Sequence, residues 1–157
     1  MPVAVVQSDV KMLEDQPEYR DANSVNVIAN AKTWLNPSVP YSQSAYHKGY
    51  RQDCSGYVSM AWNLGTSATT STLHNYSYAI TKDKLKAGDV LLNAGVHVLI
   101  FSSWADSAKT SYYAYEQTPP QTVYHVVTYP YWSSSNPSAY KPYRLNGNSA
   151  EVDAFLF

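Results

Sequence analysis

Apolar side chains recur at Val25, Ile28, Ala31, Trp34 and Leu35, the spacing of a helix that buries one face. Ser24 ahead of them reads as the N-cap. Asn36-Pro37 closes the helix, because proline disfavours helical geometry at the residue before it. A second helix is predicted over residues 54–64, with Asp53 as N-cap, Val58, Ala61, Trp62 and Leu64 on the buried face, and Gly65 as the residue just past its end. Residues 40–51, rich in Tyr, Ser and Gly, form a loop between the helices. Residues 66–72 read as a polar loop and residues 73–80 as a short connection.

The pattern changes after Lys86. Asp89-Val90-Leu91-Leu92 is a short apolar run, Gly95 marks a turn, and residues 96–101 are strongly β-prone. A third strand is predicted over residues 112–116 and a fourth over 122–128, at spacings that favour antiparallel hairpins. Residues 129–142 form an aromatic loop rich in Ser and Pro, and residues 152–157 a final strand or a docked apolar end. Residues 1–23 read as an irregular N-terminal arm. With helices first and strands later, no internal repeat and no linker, the expectation is an α+β fold of one domain over residues 1–157.

Composition narrows the function. The 157 residues are 45% hydrophobic, enough for a packed core. The 11 basic and 12 acidic residues leave a net charge of −1, so nothing favours nucleic acid or an anionic membrane surface. No apolar run reaches the roughly 20 residues that cross a bilayer. Met1-Pro2-Val3-Ala4 lacks the basic start and apolar stretch of a signal peptide, so an exported protein would have lost its signal before this start. Charged residues make up only 15%, against 15 tyrosines, a neutral aromatic surface suited to extracellular carbohydrate or peptide polymers. The single cysteine, Cys54, excludes an intrachain disulfide and a structural zinc site built on several cysteines.

Cys54 opens the second predicted helix, in Gln52-Asp53-Cys54-Ser55-Gly56-Tyr57. A thiol there feels the positive end of the helix dipole, which favours the nucleophilic thiolate. Gly56 lets a second backbone or a substrate approach the first turn. The plainer alternative is a small buried hydrophobe. Among His47, His74, His97 and His125, the pointed candidate for a base is His97, which shares a strand face with Leu99 and Phe101 and needs a polar partner there. A core histidine bonded to a carbonyl would look the same. An imidazole base needs an orienting group on its far nitrogen. Glu116 and Gln117 end the next strand, and an antiparallel neighbour would bring Glu116 beside His97; without His97, Glu116 would read as a solvated strand-end acid. Alternation places Tyr112, Ala114 and Glu116 on one face and Tyr113, Tyr115 and Gln117 on the other.

Asp53-Cys54-Ser55-Gly56 followed by Tyr57 resembles the NlpC/P60 cysteine-peptidase signature. The likeness extends to Pro40-Tyr41 before it, and to Lys86-Ala87-Gly88-Asp89-Val90 and Gly95-Val96-His97-Val98 after it, in the family's order over residues 24–117. The resemblance implies a papain-like α+β fold, with N-terminal helices packed on an antiparallel sheet, and hydrolysis of peptide bonds in peptidoglycan stem peptides. It implies Cys54 as nucleophile with its backbone N–H as oxyanion donor, His97 as base, Tyr41 with its hydroxyl near Cys54, and Asp53 and Ser55 lining the subsite for the substrate's free amino end. Ordinary aromatic packing is the alternative for Tyr41. The family's third polar residue is usually His, Asn or Gln; Glu is what the related CHAP amidases place there, which favours Glu116, with Gln117 as the one-residue register alternative. The family's Gly-Gly stretch before the cysteine is replaced here by Ala45-Tyr46-His47-Lys48-Gly49.

The expectation is therefore a secreted or cell-wall cysteine hydrolase, monomeric, without metal or organic cofactor. Its partner is a peptidoglycan peptide rather than nucleic acid or membrane. The rivals are an N-acetylmuramoyl-alanine amidase or another acyl transfer on the same scaffold, and a secreted cell-wall-binding domain without turnover.

Overall fold

The computed structural model describes residues 25–132 and 135–147. The expected arm (1–23), the Ser24 cap and the apolar tail (152–157) lie outside the described residues. Helix α1 runs over Val27–Lys32 and helix α2 over Cys54–Ala61. Between them a small hairpin joins β1 (Tyr46–His47) to β2 (Tyr50–Arg51). Six further strands follow: β3 (Ser77–Ala79), β4 (Val90–Asn93), β5 (His97–Trp104), β6 (Ser111–Thr118), β7 (Gln121–Thr128) and β8 (Lys141–Leu145). They form one sheet in the order β3-β8-β4-β5-β6-β7, and every neighbouring pair is antiparallel. The fold is α+β.

Strand alternation splits the core between the two faces of this sheet. Val90, Leu92, Val98, Ile100 and Tyr115 face the helices and pack with Val27, Ala31, Trp34, Tyr57, Val58, Ala61 and Trp62. Leu91, Leu99, Phe101, Tyr112 and Ala114 face the other way, beneath Leu85, Tyr131 and Tyr140. The sheet is thus covered on both faces, which is why its central strands read as continuous apolar runs rather than alternating ones.

Helix α1 is shorter than its apolar spacing predicts. Asn26, not Ser24, supplies the cap observed, its side chain accepting from the Ala29 N–H at 3.1 Å. Trp34 and Leu35 belong to the turn that follows, although Trp34 is buried. Helix α2 ends at Ala61 rather than Leu64, because Asn63, not Gly65, takes the left-handed position at φ +56°. The Asn63 N–H then bonds the Met60 carbonyl (3.0 Å) and the Leu64 N–H the Ser59 carbonyl (2.9 Å), the paired bonds of a Schellman terminus.

The Lys86-Ala87-Gly88-Asp89 turn locks helices to sheet. Gly88 has φ +97°, and a Cβ on it would lie 3.0 Å from the Cβ of Val27. The Trp62 indole donates to the Gly88 carbonyl at 3.0 Å. Asp89 is buried and accepts two bonds from Arg144 of β8, Nε to Oδ1 at 2.9 Å and Nη2 to Oδ2 at 2.8 Å. Burial pushes the Asp89 carboxyl up, and the guanidinium pulls it back.

Removing the carboxylate would strand a guanidinium with little access to water. Asp89→Ala should therefore cost about 3–5 kcal/mol of stability, read as a shift in the urea midpoint. A loss no larger than that of an exposed ion pair would show that the pair does not hold β8 in place.

Candidate functional site

The site is assembled from the first residue of α2 and the first residue of β5. Asp53 caps α2, its Oδ1 accepting the Gly56 N–H at 2.9 Å. Its Oδ2 accepts from Arg51 Nε at 2.6 Å, and the Arg51 Nη2 lies 2.5 Å from the same oxygen. The chain doubles back so tightly that a Cβ on Gly56 would sit 1.8 Å from the Arg51 carbonyl oxygen. Of the two roles open to Gly56, the structure uses it for a backbone approach. The result is a fixed helix start with the Cys54 thiol at its first position, where backbone N–H groups have no partner within the helix.

His97 follows a turn in which the Val96 N–H bonds the Asn93 carbonyl at 2.9 Å, with Gly95 at φ +79°. That conformation suits glycine at the third position of a type II turn. The ring of His97 lies on the Leu99 and Phe101 side of the sheet, with Tyr131 and Tyr140 around it, their ring centroids 5.3 and 6.3 Å away. Its Nε2 is 2.6 Å from Glu116 Oε2. Cys54 lies near enough to help raise the His97 pKa, and with Nε2 taken by the carboxylate, Nδ1 is the free ring nitrogen. Cys54 is only 7% exposed, more enclosed than an open helix start would be.

Glu116, and not Gln117, faces His97. The Gln117 amide turns to the helix side, where its Nε2 donates to the carbonyls of Val39 (3.1 Å) and Pro40 (3.4 Å). With the Tyr41 N–H bonding the Pro120 carbonyl at 3.0 Å, this pins the Pro40-Tyr41 segment along the start of β7. The Tyr41 hydroxyl accepts from Gln43 Nε2 at 3.2 Å, and its pKa is raised by burial first and by the charge of Cys54 second. Asp53 and Ser55 are buried, with the Ser55 hydroxyl donating to Asp53 Oδ1 at 3.4 Å. Their side chains are engaged in the helix start itself.

Two members of the site were not anticipated from the sequence. His125 Nε2 lies 2.7 Å from Glu116 Oε1, and the Tyr131 hydroxyl donates to Glu116 Oε2 at 2.5 Å. The signal for His125 was available: with Pro119-Pro120 as a two-residue turn, counting back pairs Ala114 with His125, one step from Glu116 on the same face. Tyr131 lies in the aromatic loop after β7 and has no such pattern. His47 packs edge-on against Trp34 (centroids 5.4 Å apart) and His74 is exposed. Among the described residues, no group of three His, Cys, Asp or Glu side chains is arranged to hold a metal ion. Both histidines direct Nε2 at Glu116, at different oxygens.

The charges follow from this geometry. Burial disfavours imidazolium at His97, but hydrogen bonds to Cys54 and Glu116 and the charges behind them outweigh it, lifting the pKa from 6.5 to about 9. Burial also opposes the Glu116 carboxylate, yet bonds from His125, His97 and Tyr131 hold it down at about 2 instead of 4.5. At neutral pH the site therefore holds imidazolium against carboxylate.

These shifts set a pH window for stability. The depressed Glu116 contributes fully above about 4.5 and its contribution is lost as pH falls through about 2. The raised His97 contributes fully below about 6.5 and loses it as pH rises through about 9. Glu116→Gln should flatten the dependence of Tm on pH on the acid side and shrink it on the alkaline side. An unchanged profile in the variant would show that this carboxylate is not the group responsible. Comparison with protein-family models, with curated proteins and with solved structures finds no match to this chain.

Proposed function

We propose that the protein is a cysteine hydrolase with the papain-like arrangement of the NlpC/P60 class, acting outside the cell on peptide bonds of peptidoglycan stem peptides. One observation carries the reading: His97, whose pKa is raised in part by the Cys54 thiol at the start of α2, has its Nε2 held 2.6 Å from the buried carboxylate of Glu116. A binding domain has no use for an oriented imidazolium beside its single cysteine. The peptidoglycan substrate rests on the four ordered sequence motifs and on the sparsely charged, tyrosine-rich composition.

In this reading the Cys54 thiolate attacks the carbonyl carbon, and the N–H groups at the start of α2 receive the developing oxyanion. The C–N bond breaks as His97 passes its proton to the leaving amine. Water then gives a proton to His97 and attacks the thioester, and the C–S bond breaks to restore the thiolate. Glu116 keeps the imidazole in one orientation and stabilises its charged form through both steps, while remaining ionised itself. Tyr41 takes the place that the sequence motif gives it, with its hydroxyl feeling the charge of Cys54.

A second reading shares every residue. Glu116 is the third residue found in CHAP amidases, and its placement against His97 favours an N-acetylmuramoyl-alanine amidase as the alternative bond specificity.

Digestion of purified peptidoglycan, followed by mass spectrometry of the products, tests both. New free amino ends within stem peptides support the endopeptidase, and whole peptides freed from glycan support the amidase. Products identical to those of Cys54→Ala would end the hydrolase reading for this substrate. Iodoacetamide should label Cys54 rapidly at pH 6 in the native protein, and about tenfold or more slower in His97→Ala. Hydrolysis should decline as pH rises through about 9, where His97 loses the proton it must donate.

A further inference from the structure

Glu116 is fully buried and accepts hydrogen bonds from three side chains carried by three segments: His97 on β5, His125 on β7 and Tyr131 after β7. The triad chemistry uses the first of these and leaves the second unexplained. A carboxylate bonded at one oxygen alone can rotate about its last torsion, which is broad and roughly two-fold. Here Oε1 is held by His125 while Oε2 serves His97 and Tyr131, so both oxygens have fixed destinations. His125 is itself held: its ring meets that of Trp132 edge-on, with centroids 5.3 Å apart. Its side chain is 29% exposed and Trp132 is 53% exposed, so this end of the chain of bonds reaches solvent while His97 lies deeper at 16%.

We propose that His125 is a positioning residue for the Cys54–His97 pair, acting through its Nε2–H bond to Glu116 Oε1 to hold the carboxylate in the orientation that orients His97. The proposal rests on the hydrolase reading for its consequence in turnover, but not for its geometry. The titratable groups facing Glu116 are His97, His125 and Tyr131, with Tyr112 of its own strand near enough to feel its charge. Those facing His97 are Cys54, Glu116 and the rings of Tyr131 and Tyr140. His125 faces Glu116 and Trp132. Loss of His125 should therefore be read at His97 through Glu116.

Glutamine places its amide nitrogen where His125 has Nε2, whereas asparagine falls short of Glu116. The test compares His125→Gln, His125→Asn and His125→Phe. The readouts are the His97 titration by NMR of the ring protons and the rate of Cys54 alkylation at pH 6. In Asn and Phe the His97 pKa should fall below about 9, with alkylation slowed about tenfold, the size of one charge-assisted bond. In Gln both should stay near the native values. An unchanged or raised His97 pKa in the Asn variant, or an equal fall in Gln and Asn, would overturn the proposal. If Phe fails to fold, the Asn and Gln pair still decides. These readouts need no substrate, so a protein inert towards peptidoglycan would defeat the hydrolase reading while leaving the His125 result legible.

Discussion

A carboxylate with no exposure to water is costly unless it is fully paired, and Glu116 is the residue around which that cost is resolved. Its partners come from β5, β7 and the segment after β7, so the charge can be buried only when those parts are in register. The same bonds that make burial tolerable give His97 its orientation and its raised pKa. The burial of Glu116 and the charge of His97 rest on one set of atoms. Replacing the carboxylate with an apolar side chain would leave two histidines and a tyrosine without their common acceptor.

Cys54 is constrained from the helix side of the sheet. Asp53 serves as helix cap and as acceptor for Arg51, while Gly56 lets the Arg51 carbonyl approach to where a methyl group would otherwise be. Every residue of Arg51-Gln52-Asp53-Cys54-Ser55-Gly56 except the cysteine is thus explained by how the chain enters α2. The Gln52 N–H bonds the Ala45 carbonyl and its carbonyl accepts from the Ser42 N–H, tying the entry to the segment just before β1. The thiol at the first helical position is itself packed into the core on the helix side of the sheet, 7% exposed.

Much of this was legible from residue order. The helix start at Cys54, the strands around Leu91, Leu99, Ala114 and Val127, and the face carrying Glu116 follow from caps, turns and alternation. Other parts were not, for identifiable reasons. Strand β8 contains Pro142, which cannot donate to a ladder and argues for an edge, yet β8 lies between β3 and β4 with Pro142 opposite Leu91. Strand β3 is three residues long, too short for a period. The β1–β2 hairpin turns on Lys48 and Gly49, both at positive φ, where lysine gives no hint of a tight turn. Tyr131 joins the site from an irregular loop, a contact that exists only in three dimensions.

The position of β8 makes completion of the sheet wait for residues 141–145. Residues 141–145 slot between strands formed by residues 77–79 and 90–93, and Arg144 supplies the partner of Asp89. Until that segment has left the ribosome, the free edge of β4 is an open template for foreign strands. Pairings across such long stretches of chain are also slow to form. A nascent chain therefore exposes the edge of β4 from its own emergence until residues 141–145 follow.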